Sequence, residues 1–307
     1  MKNSNLKGSI ILITAALIWG LAFVAQSGAA KLVPPFTFNA LRSVIGAAVL
    51  YVFWLFTGRR ETKTFFPENK ADRKGYYISA LVCGVCLAIS VNFQQFGIAA
   101  YPAGVASEAR AGFITALYVI LVPVLSVALH KKIALPVWLG VAVALVGVYL
   151  LCFSGGIGGI YLGDILIFLC AVSFATHIIS VDKYVGITGG VKLSIMQFSV
   201  TAVISAVLAL IFELSKIDIN NILAATPQIL YLGIMSSGVA YTLQIVGQKY
   251  AEPTVASISM SFESVFAALG GWVISGNALT LRELFGCGLV FLAIVVAQLP
   301  DFKLNKT

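Results

Sequence analysis

The sequence predicts an all-α polytopic membrane protein, with ten transmembrane helices arranged as two inverted five-helix repeats. Three observations carry that prediction. The first is hydropathy. Of 307 residues, 60% are hydrophobic and 10% are charged, and the mean hydropathy is +0.98; soluble domains carry about 25% charged residues. The second is where the positive charge falls. With a cytoplasmic N-terminus, 15 of the 20 Lys and Arg residues lie in inner segments and 3 (Lys31, Lys216 and Arg282) in outer loops, while Arg42 and Arg110 lie within spans. Positive residues gather on the cytoplasmic side, so this asymmetry puts both termini there, in a multi-pass protein of the cell membrane. The third is an internal repeat. Gln94, Gly97, Val105, Ala106 and Ser107 recur 150 residues later as Gln244, Gly247, Val255, Ala256 and Ser257, and Pro102 is answered by Pro253.

The apolar runs fall near 9–30, 36–57, 76–100, 104–129, 136–153, 162–181, 191–214, 227–249, 254–275 and 283–299. Each has roughly the ~17–25 residues that a bilayer requires. The first follows Lys2 and Lys7 and is too long for a signal-peptide core, so it reads as an uncleaved span. Pro34-Pro35, Pro102, Pro136, Gly155 to Gly159, Gly189-Gly190, Pro227 and Pro253 mark the joints. The connections are short, so consecutive helices are expected to be antiparallel neighbours. Residues 1–154 and 160–300 form the two halves, each with five spans. An odd number of spans inserts the halves in opposite senses, and such inverted repeats place a substrate site near the midplane between them. The loop from Thr57 to Lys74 is the main basic patch, suited to anionic lipid headgroups. The net charge of +8 therefore sets orientation and implies lipid, with no nucleic-acid partner.

Polar residues inside lipid are costly and tend to face a cavity or a partner. Trp19 sits beside Gly20 in the first span, a large ring next to a position of close backbone approach. Arg42 shares a helical face with Asn39 and Gly46, about 9 Å below the outer boundary at 1.5 Å per residue. It suits a carboxylate; snorkelling outward is the alternative. Glu263 lies ten residues past Pro253, about 15 Å deep, where a carboxylate must be paired, solvated or protonated. It suits a cationic amine or a proton. Tyr241, Gln244 and Gln248 form one stripe, and Asn92 and Gln95 form another; amides serve a polar ligand or hold helices together. His177 shares a face with Ser173 and Ser180, as a proton relay or a hydrogen-bonded packing residue. Gln197 stands 155 residues after Arg42, at matching depth in the second half. Phe113 and Tyr118 are candidate aromatic walls. The candidate substrate or gating residues are thus Trp19, Arg42, Gln95, Phe113, Tyr118, His177, Gln197, Tyr241, Gln244 and Glu263. Arg110 is expected to answer Glu108, or another helix, as a structural ion pair at the outer mouth.

Cys83, Cys86, Cys152, Cys170 and Cys287 all fall in apolar runs, which argues for packing and against a disulfide framework or a metal site. No Gly-x-x-x-x-Gly-Lys-[Ser/Thr], His-Glu-x-x-His or Gly-x-Ser-x-Gly motif occurs. No ATP site, catalytic residue or cofactor is expected, and the protein is not read as an enzyme.

Several stretches together resemble a known family: Ala15-Ala16-Leu17-Ile18-Trp19-Gly20, Pro34-Pro35 leading to Leu41-Arg42, the run from Gly112 to Pro123, and Ser261 to Leu269. They are similar to the EamA-type permeases of the drug/metabolite transporter superfamily, across nearly the whole chain. Ser264 stands where that family usually has proline. The resemblance implies a secondary transporter, commonly of amino acids or other small metabolites and often working outward. Taken with Arg42 and Glu263, it points to a small polar, zwitterionic substrate. A channel or non-transporting receptor is the alternative, and it would lack saturable counterflow. The sequence leaves monomer and homodimer both open.

Overall fold

Inside lipid a backbone finds no water to bond, so each long apolar run must satisfy its N–H and C=O groups internally and becomes a helix. The computed structural model describes residues 2–57, 64–67, 69–102, 107–152, 160–275, 280–297 and 299. Within them run α1 (Lys2–Ala30), α2 (Pro35–Thr57), α3 (Lys70–Ala99), α4 (Ser107–Ala116), α5 (Tyr118–Ala128), α6 (Leu135–Cys152), α7 (Leu162–Thr188), α8 (Gly190–Phe212), α9 (Ile219–Ala224), α10 (Thr226–Tyr231), α11 (Tyr241–Gln248), α12 (Pro253–Met260), α13 (Phe262–Ser275) and α14 (Leu281–Ala297). No strand occurs among the described residues. Seven stretches are long and apolar enough to cross a membrane, and Leu135–Leu150 and Leu284–Ala297 are shorter apolar helices. The basic residues Arg59, Arg60 and Lys63, the Gly155–Gly159 joint, and Lys303 and Lys306 lie outside the described residues.

Two of the expected spans are interrupted, and a third carries a π-helical segment. The run 104–129 divides at Leu117 into α4 and α5. The run 254–275 divides at Ser261 into α12 and α13. The two breaks have nearly the same backbone: φ −60° and ψ −14° at Leu117, φ −61° and ψ −11° at Ser261. Each is tightened by three-residue bonds, Ile120 N–H to Leu117 O at 3.0 Å and Ser264 N–H to Ser261 O at 3.2 Å. The run 227–249 carries a π-helical segment, Leu232–Ala240, between α10 and α11. Such wide turns recur at functional sites. Here the segment rotates Ser236 and Tyr241 relative to a regular helix.

The helices pack in pairs: α6 on α14, α3 on α7, α2 on α8, and α1 between α11 and α13. Glycines allow the closest approaches, as is common where helices lack a hydrophobic driving force. A Cβ on Gly97 would lie 2.6 Å from Ile167 and 3.1 Å from the Gly163 carbonyl; one on Gly247 would lie 2.7 Å from Leu12 and 3.3 Å from the Gly8 carbonyl. Likewise, a Cβ on Gly84 would meet the Gln197 carbonyl at 3.2 Å, and one on Gly233 the Arg42 carbonyl at 3.2 Å. Large apolar side chains such as Phe56, Leu210, Phe212, Phe285 and Phe291 cover the outside, as lipid contact requires.

Candidate functional site

α1, α2, α3, α7, α11 and the two interrupted spans surround one small cavity of about 40 Å³. Two ionisable groups of opposite sign line it, Arg42 from α2 and Glu263 from α13. Both are buried, at 2% and 4% exposure. No ion pair joins them among the described residues. A lone buried charge is expensive, so what each one touches decides what it can do.

Arg42 Nε donates to Asn39 Oδ1 at 2.8 Å. That is its one hydrogen bond among the described residues, so the two Nη groups are left to the cavity. Glu263 Oε1 accepts from the Tyr118 hydroxyl at 3.1 Å, and no bond to Oε2 occurs among the described residues. The Tyr118–Glu263 contact joins the two interrupted spans just past their breaks. It follows from those breaks, because Tyr118 is the first residue of α5 and Glu263 the second of α13. Tyr241 stands within electrostatic reach of both Arg42 and Glu263. Trp19 meets the Tyr241 ring edge-on at 4.8 Å. The Trp19 indole N–H and the Oε1 atoms of Gln26 and Gln244 are buried with no hydrogen-bond partner among the described residues. The cavity thus offers cationic N–H donors at one wall, a carboxylate at another, and neutral polar atoms between apolar side chains.

Of the sequence candidates, Trp19, Arg42, Tyr118, Tyr241, Gln244 and Glu263 line the cavity. Gln95 stands behind it and donates to the carbonyl of Gln26 at 3.2 Å. His177 and Gln197 bond to each other at 2.9 Å, fully buried. Phe113 is not in the lining; it meets Tyr149 edge-on, ring centres 6.2 Å apart, and packs on the cluster of Phe23.

Of the two partners expected for Arg110, Glu108 or another helix, the structure shows the second. Arg110 reaches past its own helix to Asp164 of α7, with bonds of 3.0 and 2.6 Å, and Asp164 takes the place proposed for Glu108. The spacing explains this. Glu108 and Arg110 are two residues apart and point to different sides of α4, since only residues three or four apart share a face.

Gln26, Gln94, Thr115 and Ser236 also line the cavity and were not among the candidates. Gln26 was within reach of pattern, because Trp19, Phe23 and Gln26 fall at i, i+4 and i+7 on one face of α1. Ser236 gave no such signal, since its direction depends on the π-helical turn.

Comparison with known proteins adds independent findings. The family model described as "EamA-like transporter family" matches the chain twice, over residues 6–153 and 161–298. An "Uncharacterized transporter" from Archaeoglobus fulgidus is 29% identical over 291 residues, covering 94% of this chain and 84% of that one. The "Uncharacterized transporter YoaV" of Bacillus subtilis is 23% identical over 285 residues, covering 91% and 92% of the two chains. A protein of known crystal structure superposes with TM-score 0.76 at 21% identity, over 95% of this chain and 98% of the other, and shares its fold.

Proposed function

The chain belongs to the EamA-like transporter family, and from that premise we propose that it is a secondary carrier of a small zwitterionic metabolite, such as an amino acid or a related compound. The observation that carries this reading is the pair Arg42 and Glu263: opposite charges, both buried on one cavity, each with polar atoms unbonded and neither bonded to the other. A substrate with a carboxylate and an amine would neutralise both walls at once. Such charge is otherwise retained at a cost. A channel gives no reason for two unmatched charges on one cavity, whereas a non-transporting receptor for a zwitterion would share them and differs in lacking counterflow.

Alternating access follows in this reading from two five-helix halves, spanning the membrane ten times in opposite senses and rocking about the site. The packing supports it. The approach of Gly97 to Gly163 is mirrored by that of Gly247 to Gly8, and that of Gly84 to Gln197 by that of Gly233 to Arg42; these pairs are related by the repeat offsets of about 150 and 155 residues. Cytoplasmic termini, a cell-membrane location and outward transport complete the proposal, from the charge asymmetry and the family resemblance.

The test is thermal stabilisation of the detergent-purified chain by matched trios: leucine, 3-methylbutylamine and 4-methylpentanoate, with equivalent trios for other side chains and with sugars and nucleosides. A ligand at 100 times its Kd adds about 2.7 kcal/mol of apparent stability. Compounds bearing both charges are expected to raise Tm, single-charge analogues to fall short, and Arg42→Ala and Glu263→Gln each to remove the preference for the doubly charged member. Stabilisation by sugars or nucleosides alone would rule out the zwitterion. Saturable counterflow in proteoliposomes then separates carrier from channel.

A further inference from the structure

Behind Arg42 runs a chain of buried side chains that crosses three helices. Arg42 Nε donates to Asn39 Oδ1 at 2.8 Å; Asn39 Nδ2 donates to Asn92 Oδ1 at 3.0 Å; Asn92 Nδ2 donates to Ser205 Oγ at 3.0 Å. The two amides are also tied to backbone, Asn39 to the Val91 carbonyl at 3.0 Å and Asn92 to the Ala88 carbonyl at 2.8 Å. All four residues are buried. The direction of the chain follows from chemistry. A guanidinium only donates, so Asn39 must turn its oxygen to Arg42 and its NH2 to Asn92. Asn92 must then accept from Asn39, which leaves its own NH2 for Ser205. One cation therefore fixes the orientation of two amides and one hydroxyl.

We propose that Asn39, Asn92 and Ser205 are positioning residues that hold Arg42 by its Nε, present both Nη groups as a fork for a carboxylate, and make that fork depend on the contact of α8 with α3. The paired Nη groups suit the two oxygens of a carboxylate, a planar match that a lysine ammonium lacks. Ser205 belongs to the 160–300 half, whereas Arg42, Asn39 and Asn92 belong to the 1–154 half. Separating the halves at α8 removes the end of the chain and frees Arg42 to turn. The carboxylate is thus bound tightly in the packed arrangement and less tightly when α8 moves away. A ligand shifts a conformational equilibrium only by such a difference in affinity.

The repeat sharpens the point. Gln197, the counterpart of Arg42, is capped by His177 at 2.9 Å. The second half fills this position from within, while the first half keeps it open for a ligand.

The proposal rests on the carrier reading only in naming a carboxylate from the substrate, and its test needs no known substrate. The full-length protein in detergent is treated with 2,3-butanedione in borate, which modifies guanidinium groups, with formate as the competing carboxylate. Modification at Arg42 is read by mass spectrometry, and the exposed Arg73 and Arg282 serve as internal controls. In the unmodified sequence, Arg42 is expected to react and formate to protect it. In Asn92→Ala and in Ser205→Ala, the formate concentration giving half protection is expected to rise about tenfold, the factor set by losing one ordinary hydrogen bond. Ser205→Thr keeps the hydroxyl and restores protection. Asn39→Asp places a carboxylate directly on Arg42 and suppresses modification with or without formate. Arg73 and Arg282 react equally in every variant, which fixes the reagent dose, and a parent-like Tm of each variant separates loss of positioning from loss of fold. Unchanged half protection in both Asn92→Ala and Ser205→Ala would overturn the proposal, and so would an unreactive Arg42 in the parent protein. Absence of any stabilising zwitterion alongside intact formate protection would remove the carrier's substrate and leave the positioning chain standing.

Discussion

The two ends of the helix bundle are closed by different chemistry. At the end where α2, α4 and α7 begin, two carboxylates, Glu213 buried and Asp164 partly buried, hold the halves together. Glu213, just past α8, accepts from the backbone N–H of Phe36 at 3.0 Å, the N–H of Thr37 at 2.8 Å and the Thr37 hydroxyl at 2.9 Å. It caps the start of α2, where the helix dipole favours negative charge. Asp164 binds Arg110 and accepts from the Tyr101 hydroxyl at 2.7 Å and the Tyr161 N–H at 2.9 Å. At the opposite end the contacts are neutral or exposed. Ser259 donates to Ser9 at 3.0 Å, and Lys131 meets Asp182 at 2.9 Å with its side chain 49% exposed. The contrast is local, because Ser9 stands 155 residues before Asp164 and Ser259 stands 149 after Arg110. The repeat has placed a charge pair at one end and a hydroxyl pair at the equivalent place of the other. In a carrier that opens its two ends in turn, the charged end is the harder one to open.

The largest expected effect comes from Glu213→Ala. It strips three donors of their acceptor at once, two of them on Thr37, which is buried. Removing a charged acceptor from a buried donor costs about 1.5–3 kcal/mol. We expect at least a tenfold rise in labelling of Gln26→Cys, in a background without native cysteines, by a membrane-impermeant thiol reagent applied from that side. Equal gains in labelling from both sides would break the comparison. Arg110→Ala comes next, about 1–2 kcal/mol, because Asp164 keeps Tyr101 and the Tyr161 N–H when the guanidinium is gone. The same labelling assay should show a smaller rise, and pairing the variant with Asp164→Asn should add little, since the two residues form one contact.

Some of this was legible in the sequence. Depth and helical face alone led to Arg42 and Glu263, because a charge inside an apolar run stands out whatever the fold does around it. Trp19 came from its pairing with Gly20, Tyr241 and Gln244 from a polar stripe on one helical face, and Tyr118 as a candidate aromatic wall. The repeat misled where it was used to transfer chemistry. It puts Gln197 opposite Arg42 in position, yet His177 bonds to Gln197 and occupies that place. Symmetry fixes where a backbone goes, and each side chain then answers to its own neighbours. The breaks at Leu117 and Ser261 carry no glycine or proline to announce them, so the Tyr118–Glu263 contact they create was invisible in the sequence. Asp164 and Glu213 were passed over because carboxylates near the ends of apolar runs look solvated until a partner helix is known.

The smallest expected effect is at the neutral end, and it is the one that sharpens the comparison most. Lys131→Ala removes an exposed ion pair, and such pairs contribute about 0–1 kcal/mol and weaken with salt. Labelling of Gln26→Cys should therefore change by less than about threefold from either side, and raising the salt concentration should change the parent protein no more than the variant does. A large effect of Lys131→Ala, comparable with that of Glu213→Ala, would mean that exposure is a poor guide to which contact bears the closing force, and the two ends would then differ in chemistry without differing in strength.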